Sequence, residues 1–202
     1  MPALLRPLSC LIILLISTLV ACKPAVATPS ADTAKPEPAG SDASIAVRPT
    51  TVIVLRHAEK EKDDPRDPTL SPAGEARARA LAGLLGEAGV THLFSSEFRR
   101  TLATLRPLAT AKGLEITVVP SADQAALVTA IEALPAGSVA VVAGHSNTVP
   151  ALVTALGGEA SGTVASPAGP VLPDDAYDRL FLVIRPARGL VQTLELRQGA
   201  TP

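Results

Sequence analysis

The chain has 202 residues, a formal net charge of −1 and only 2% aromatic residues. This length is enough for one domain with its own core, whereas the balanced charge and the scarcity of rings exclude a nucleic-acid surface of basic patches and stacked bases. Both cysteines, Cys10 and Cys22, lie near the start of the chain. The remaining sequence therefore holds neither a disulfide framework nor a thiolate metal site.

The first 22 residues have the pattern of an export signal. Arg6 precedes an apolar run from Leu8 to Val20, which is too short to span a bilayer comfortably. The run ends in Leu19-Val20-Ala21-Cys22, which resembles the cleavage box of bacterial lipoproteins, in which the cysteine becomes the acylated first residue. With Lys23 next, the resemblance implies lipidation of Cys22 and an outer-membrane anchor facing the periplasm. An ordinary secretory signal and an uncleaved anchor are the alternatives.

Residues 22–49 are rich in Pro, Ala, Ser and Thr. They hold too little apolar surface to offset the entropy lost on ordering. We therefore expect a flexible, partly extended tether between membrane and domain, with a segment that binds a partner as the alternative. The predicted organisation is a signal peptide over 1–21, a disordered tether over 22–49 and a folded domain over 50–202.

Residues 51–60, TVIVLRHAEK, begin with a continuous β-branched and aliphatic run. Such a run predicts a strand buried on both faces of a parallel sheet. It ends at Arg56-His57, and open α/β sheets bind ligands at the carboxyl ends of their strands. A cation beside an imidazole at that point predicts an anionic ligand, for which a phosphoryl group is the best candidate.

The remaining chain alternates between predicted helices and strands. Residues 58–69 form a charged surface loop, after which Ser71 caps a helix that begins at Pro72. The later predicted elements are a strand at 90–95, a helix at 96–112 bent or shortened near Pro107, a strand at 115–119, a helix at 123–134, a strand at 138–143, a helix ending at 156, a loop at 159–176 and two strands at 178–185 and 190–197. The last strand is an edge strand with Leu190, Leu194 and Leu196 on one face. This order predicts an α/β domain with a central, mostly parallel sheet flanked by helices.

Three predicted strands are followed by cationic or imidazole residues: Arg56-His57, Arg99-Arg100 and His145. Parallel strands bring these positions to the same edge of the sheet. Guanidinium groups bind phosphate oxygens bidentately, and a neutral imidazole nitrogen is a competent nucleophile toward phosphorus. The helix after His145 adds amide donors at its N-terminus. The sequence therefore predicts a phosphate site there.

These motifs resemble those of the histidine phosphatase (phosphoglycerate mutase-like) superfamily. Arg56-His57-Ala58 is similar to its RHG/RHA signature, and three more segments follow in family order: Leu70–Gly74, Ser96–Thr101 and Gly144–Ser146. The resemblance covers roughly residues 51–156. It implies a three-layer phosphoglycerate mutase-like fold and metal-independent phosphomonoester hydrolysis with no cofactor.

The resemblance also assigns roles. His57 is the nucleophile that becomes phosphohistidine, while Arg56, Arg100 and His145 hold the phosphoryl oxygens. The family arginine lies four residues after the motif serine, which selects Arg100 if that serine is Ser96 and Arg99 if it is Ser95. Two further residues, Ser146 and Glu59, are expected to contact the substrate.

The general acid is the least defined residue of the resemblance. Family members carry a Glu or Asp after the third strand, and Asp123 is the nearest carboxylate in that region. Asp123 also suits the N-cap of the following helix, a purely structural role. Glu59 and Glu61, close to the nucleophile, are the alternative acids.

Other functions remain open at this stage. A metal site built on His57 and His145 is disfavoured, because the arginines repel a divalent cation and no carboxylate cluster accompanies them. One alternative is a tethered module that binds a phosphorylated ligand without turnover. A phosphoglycerate mutase-type phosphotransferase is less well supported, because the chain lacks the mutase insert and carries an export signal. We expect a small phosphorylated substrate, since export argues against a cytoplasmic phosphohistidine protein.

Overall fold

The computed structural model describes residues 48–198. Cys22, the predicted signal peptide and all but the last two residues of the predicted tether lie outside this range. Within it, six strands form one mixed sheet with four helices packed on its faces. None of the helices in this range is both long and apolar enough to cross a membrane.

The sheet has the order β3-β2-β4-β1-β5-β6. The strands are Thr50–Arg56 (β1), His92–Ser95 (β2), Ile116–Val118 (β3), Val139–Gly144 (β4), Arg179–Arg185 (β5) and Gln192–Arg197 (β6). The first four in spatial order are parallel, whereas β5 runs antiparallel to β1 and β6 antiparallel to β5. The predicted mostly parallel α/β sheet is confirmed, with β6 at one edge.

The helices are Pro72–Leu85 (α1), Arg99–Lys112 (α2), Gln124–Glu132 (α3) and Thr148–Ala155 (α4). Helices α1 and α2 cover one face of the sheet, where Leu81, Leu105 and Leu108 meet Ile53 and Val141. Helices α3 and α4 cover the other face, where residues such as Leu152 pack on Val52, Val142 and Phe181. Strands β1 and β4 contribute to both cores, which explains their unbroken apolar sequence.

Helix α1 is fixed to the loop that follows β1. The Ser71 side chain accepts a hydrogen bond from the Gly74 amide at 3.2 Å, and the Ser71 amide donates to the Glu59 carbonyl oxygen at 2.9 Å. Gly74 is buried, and a Cβ atom there would collide with the same carbonyl oxygen. This close approach requires glycine at position 74.

Several predicted boundaries were wrong. Helix α2 begins at Arg99 because Phe98 keeps an extended backbone, and it continues through Pro107 to Lys112 instead of being shortened there. Burial of Leu105 and Leu108 on either side of the proline stabilises the later turns. Strand β6 begins at Gln192, so the predicted strand residue Leu190 precedes it and is 88% exposed.

Candidate active site

The two histidines of the predicted site follow neighbouring parallel strands. Arg56, the last residue of β1, is in register with Gly144, the last residue of β4. The His57 amide continues the ladder by donating to the Gly144 carbonyl oxygen at 2.8 Å. His57 and His145 therefore emerge side by side, with ring centroids 5.4 Å apart.

An open cleft of about 690 Å³ lies at these strand ends. It is lined by five of the predicted residues: Arg56, His57, Arg100, His145 and Ser146. Further lining residues include Lys60, Phe98, Ser121, Asn147, Asp174 and Tyr177. The structure thus brings together the three strand ends singled out in the sequence.

His57 is held in one tautomer. Its Nδ1 lies 2.8 Å from the Ala58 carbonyl oxygen, which only accepts, so Nδ1 carries the proton and Nε2 keeps a free lone pair. The pKa of His57 is lowered to about 3, first by burial; the hydrogen bond to Ala58 opposes this, and the charges of His145, Arg100 and Arg56 reinforce it. The imidazole is therefore neutral and nucleophilic at neutral pH.

His145 is oriented by a chain of hydroxyl groups. Its Nε2 lies 3.0 Å from Ser96 Oγ, which in turn lies 2.7 Å from Thr101 Oγ1. Its backbone amide donates to Thr148 Oγ1 at 2.8 Å, at the start of α4. Burial and then Arg100 lower the pKa of His145 to about 4, while Glu97 opposes the shift.

The two guanidinium groups are buried with unused donors. Arg56 is 7% exposed, and its Nη1 donates to the carbonyl oxygens of Pro173 and Asp174, both at 3.0 Å. Among residues 48–198, four buried side-chain donors have no hydrogen-bond partner: Arg56 Nε, the Nε and Nη1 atoms of Arg100 and, outside the cleft, Arg77 Nη1. Buried N–H groups without acceptors are costly, so an oxyanion that accepts from them would bind favourably.

The structure separates Arg100 from Arg99. Arg100 lines the cleft, whereas Arg99 is exposed and lines a different groove on the surface of α2. Asp67 connects the two, because its Oδ1 accepts from the Arg99 amide at 2.9 Å and lies 3.6 Å from Arg100 Nη1. Arg100, the arginine four residues after Ser96, is thus the one placed at the cleft, and its role in binding phosphoryl oxygens stays a prediction.

The three candidate acids, Asp123, Glu59 and Glu61, do not line the cleft, and Glu61 is exposed. Glu59 forms an ion pair with Arg77, with both Glu59 oxygens accepting from Arg77 Nε at 2.9–3.0 Å. Burial is the largest single influence and raises the pKa of Glu59, but the hydrogen bonds from Arg77 and from the Glu59 amide, together with the charges of Arg77 and Arg56, lower it below its usual value. The Asp123 carboxylate caps α3 by accepting from the Ala126 amide at 3.0 Å and borders a separate cavity of about 30 Å³. Substrate binding by Glu59 and proton donation by Asp123 thus remain predictions.

Sequence reasoning missed three residues of the cleft. Phe98 and Tyr177 place aromatic rings beside the two arginines, and Asp174 is the carboxylate residue among those lining the cleft. Asp174 and Tyr177 follow the irregular segment 159–173, which reaches the cleft because the Leu172 amide donates to the Ser146 carbonyl oxygen at 2.8 Å. Such a segment has no periodic pattern from which its path could be predicted. The only sequence signal for Phe98 and Tyr177 was that they are among the few aromatic residues of the chain.

Between residues 48 and 198, no three His, Cys, Asp or Glu side chains come together in a way that could hold a metal ion. The charged residues that line the cleft with His57 and His145 are three cations, Arg56, Lys60 and Arg100, and one carboxylate, Asp174. This donor set suits an anion better than a divalent cation.

Part of the sequence matches the model of a known family. Residues 52–123 match the model of the histidine phosphatase superfamily (branch 1). The matched segment contains Arg56, His57 and Arg100, whereas His145 lies beyond it. A comparison with curated protein sequences finds no match.

Solved structures similar to this one include phosphatases and a mutase. The protein histidine phosphatase SixA complexed with tungstate has a TM-score of 0.55 and 19% identity, over 73% of this chain and 97% of that chain. The mycobacterial glucosyl-3-phosphoglycerate phosphatase gives 0.52 and 15%, over 75% and 99%. A phosphoglycerate mutase from Plasmodium falciparum gives 0.51 and 13%, over 76% and 92%. At these identities the likeness shows the fold alone, which is the predicted phosphoglycerate mutase-like fold.

Proposed function

We propose that this chain is a metal-independent phosphomonoester hydrolase of the histidine phosphatase superfamily that works through a phosphohistidine intermediate. The observation that carries the proposal is the convergence of two neutral imidazoles and two guanidinium groups with free donors in one cleft. The family match to residues 52–123 and the phosphatases among the similar folds support it.

The first step forms a bond between His57 Nε2 and phosphorus as the bond from phosphorus to the leaving oxygen breaks. Nε2 is suited to in-line attack because Nδ1 holds the proton and donates it to Ala58. The guanidinium groups of Arg56 and Arg100 carry the charge of the phosphoryl oxygens, and His145 contributes a ring nitrogen. The leaving oxygen takes its proton from an acid, for which Asp123 is the candidate from sequence and Asp174 the candidate from position.

In the second step, water attacks the phosphorus of phosphohistidine and the bond to Nε2 breaks, while the carboxylate left by the first step takes the proton of the water and is restored as the acid. The same guanidinium groups hold the oxygens, since the phosphoryl group stays in place while nucleophile and leaving group exchange. The products are inorganic phosphate and the regenerated neutral His57.

The decisive experiment measures phosphate release from an aryl phosphate by the full chain in the presence of EDTA. We expect turnover with EDTA, acid-labile phosphate on His57 after acid quenching, and loss of both in His57→Gln. Turnover that continues in His57→Gln, or wild-type turnover that EDTA abolishes, contradicts the proposal.

Two pairs of variants sharpen this experiment. Arg100→Lys should lower kcat/KM by about 100-fold or more, because lysine lacks the bidentate fork, whereas the matched control Arg99→Lys should stay within about 2-fold. A larger effect at Arg99 would overturn the assignment of Arg100.

Asp123→Asn and Asp174→Asn together identify the general acid. The variant at the acid should lose activity toward alkyl phosphates but keep it toward aryl phosphates, because aryl oxides leave without protonation.

A second candidate function is a tethered module that binds a phosphorylated ligand without hydrolysing it. The observation that favours it is the engagement of two of the three candidate acids, Glu59 in an ion pair and Asp123 in a helix cap. Tight binding of inorganic phosphate without any phosphate release from aryl or alkyl esters would support this candidate over the hydrolase.

We further propose that the protein is exported and lipid-anchored to a bacterial membrane through Cys22, with its substrate a small phosphorylated molecule on the far side of the inner membrane. The support is the apolar run that ends at the lipoprotein-like segment preceding Lys23.

A further inference from the structure

Four rings that line the cleft are neighbours in the order Phe98, His145, His57 and Tyr177. The ring centroids are 5.2 Å apart between Phe98 and His145, 5.4 Å between the histidines, and 6.0 Å between His57 and Tyr177. The whole chain has three phenylalanines, one tyrosine and no tryptophan. Half of its aromatic residues therefore flank the two imidazoles.

A guanidinium group lies over each outer ring. Arg56 Cζ is 4.2 Å from the ring centroid of Tyr177, and Arg100 Cζ is 4.4 Å from that of Phe98. Both distances are well within the range of cation–π attraction, which acts through the face of the aromatic ring. A ring face takes up none of the lone-pair acceptors that a guanidinium group needs, and Arg56 Nε and the Nε and Nη1 atoms of Arg100 have no hydrogen-bond partner in residues 48–198.

Other buried arginines of this domain are held by carboxylates. Arg77 donates to both oxygens of Glu59, and Arg179 donates from Nε and Nη2 to Glu195 at 2.7 and 2.8 Å. A carboxylate fixes a guanidinium, but it also neutralises its charge and occupies most of its donors; at Arg77 only Nη1 is left without a partner. An arginine held in this way cannot offer the same donors to a phosphoryl group.

Arg56 and Arg100 are held differently. Within residues 48–198, Arg56 has no carboxylate oxygen within 4.0 Å, and the ion pair of Arg100 with Asp67 is long, at 3.6 Å. Their partners are the ring faces and, for Arg56, the carbonyl oxygens of the segment after residue 172. Charge and several donors remain free as a result.

We propose that Phe98 and Tyr177 are positioning residues that hold Arg100 and Arg56 by their ring faces, so that both guanidinium groups are fixed in place while charged and free to bind a tetrahedral oxyanion. The inference deepens the proposed function and rests on the oxyanion site described there. The Tyr177 hydroxyl is secondary in this arrangement, because its distance of 3.4 Å from Arg56 Nη2 marks a weak hydrogen bond.

The test is calorimetric titration of the full chain with inorganic phosphate. We expect Tyr177→Leu and Phe98→Leu each to weaken phosphate binding by about 5- to 20-fold, since they remove the ring face that orients one arginine. Tyr177→Phe keeps the ring and should remain within about 2-fold of the wild type. In the aryl phosphate assay the leucine variants should raise KM as well as lower kcat, whereas a loss of folded protein alone lowers kcat and leaves KM unchanged.

Phe181→Leu is the matched control. Its ring lies 4.8 Å from Arg179 Cζ and outside the cleft, so the variant should lower the melting temperature without changing phosphate affinity. Folded leucine variants that bind phosphate as tightly as the wild type would overturn the inference, as would a Tyr177→Phe variant as weak as Tyr177→Leu. If Tyr177→Leu does not fold, the phosphate affinity of Phe98→Leu tests the inference, since the Phe98 ring is only half-buried.

The two proposals fail in distinguishable ways. If the wild type binds phosphate but releases none from any ester, the hydrolase proposal is wrong. The phosphate affinities of the leucine variants then still test the positioning role of Phe98 and Tyr177. If the wild type turns over aryl phosphate and the leucine variants differ only in stability, the positioning role is wrong and the hydrolase proposal stands. A wild type that binds no phosphate overturns the positioning role.

Discussion

His57 combines burial with an imidazole whose proton is fixed on Nδ1. A histidine of ordinary pKa would be partly protonated in mildly acidic surroundings and would lose its nucleophilic lone pair. Burial and the neighbouring positive charges keep the pKa of His57 near 3 and that of His145 near 4. The same charges that would bind the phosphoryl group thus also protect the attacking nitrogen from protonation.

These pKa values predict how stability depends on pH. In the unfolded chain both histidines become protonated as the pH falls through their ordinary pKa of 6.5. In the folded chain His145 stays neutral down to about pH 4 and His57 down to about pH 3. The two histidines therefore do not affect the free energy of unfolding above about pH 7.5, and they reduce it as the pH falls below 6.5. At about 1.4 kcal/mol per histidine for each pH unit below 6.5, the loss by pH 5 is of the order of a few kcal/mol.

Urea denaturation at pH 7.5 and at pH 5 measures this loss. His57→Gln removes one of the two contributions, so its unfolding free energy should fall less steeply than that of the wild type over the same interval. The comparison stops at pH 5 to limit the contribution of carboxylates, which protonate mainly at lower pH. Equal losses in the wild type and in His57→Gln would show that His57 is not held neutral.

At the residue scale, the sequence identified the groups that follow strands but not those that hold them. Arg56, His57 and His145 were predictable because each comes directly after an apolar run, and sheet geometry then places them together. Phe98 and Tyr177 carry no such mark. Tyr177 reaches Arg56 from 121 residues away in the chain, through an irregular segment whose path depends on tertiary contacts.

At the scale of single elements, helix α1 supports the loop that carries the nucleophile. The N-cap Ser71 and Gly74 of its first turn pack on the Glu59 backbone. Further along the helix, the Arg77 side chain donates to the Glu59 carboxylate. The sequence predicted the helix start from Ser71-Pro72, since caps are local signals. It did not predict the contact with Glu59, because two segments 15 residues apart meet there only in the folded chain.

Two glycines of α1 provide a matched pair of substitutions. Gly74→Ala inserts a methyl group against the Glu59 carbonyl oxygen and should lower the free energy of unfolding by about 2 kcal/mol or more. Gly83→Ala meets nothing within 4 Å on the exposed side of the same helix and should raise it by about 0.5–1 kcal/mol. Denaturant titration of both variants measures the two effects, and a neutral or stabilising Gly74→Ala would show that the close approach is not rigid.

At the scale of the whole molecule, the architecture followed from alternation of apolar runs with amphipathic stretches. Strands β1 and β4 were recognisable as central because both faces are apolar, and they do contribute to both cores. The boundary errors lie where the local sequence is ambiguous, at the N-terminus of α2 and the start of β6. Leu194 and Leu196, on one face of β6, are 51% and 49% exposed, so an alternating pattern did not ensure burial at the sheet edge.

The proposed anchor belongs to the same scale, since it decides where the domain works. Cys22→Ser removes the predicted acylation site and should shift the protein from the membrane fraction to the soluble fraction, with loss of lipid labelling. Cys10→Ser is the control, because Cys10 lies within the apolar run and should leave both properties unchanged. Persistent membrane fractionation and labelling in Cys22→Ser would contradict the proposed anchor.

The register of β1 with β4 has a consequence for how such a protein can diversify. Both histidines are attached directly to hydrogen-bonded strands, so the spacing between them is a property of the sheet and not of the surrounding loops. Insertions or deletions in segments 60–69 and 159–172 can remodel what the mouth of the cleft admits without disturbing the pair. A one-residue deletion inside β1 would instead move Arg56 and His57 each to the face of the sheet opposite its present one. His57 would then no longer lie beside His145. New substrates are thus accessible through changes in loop length, while the reaction itself stays tied to the backbone ladder.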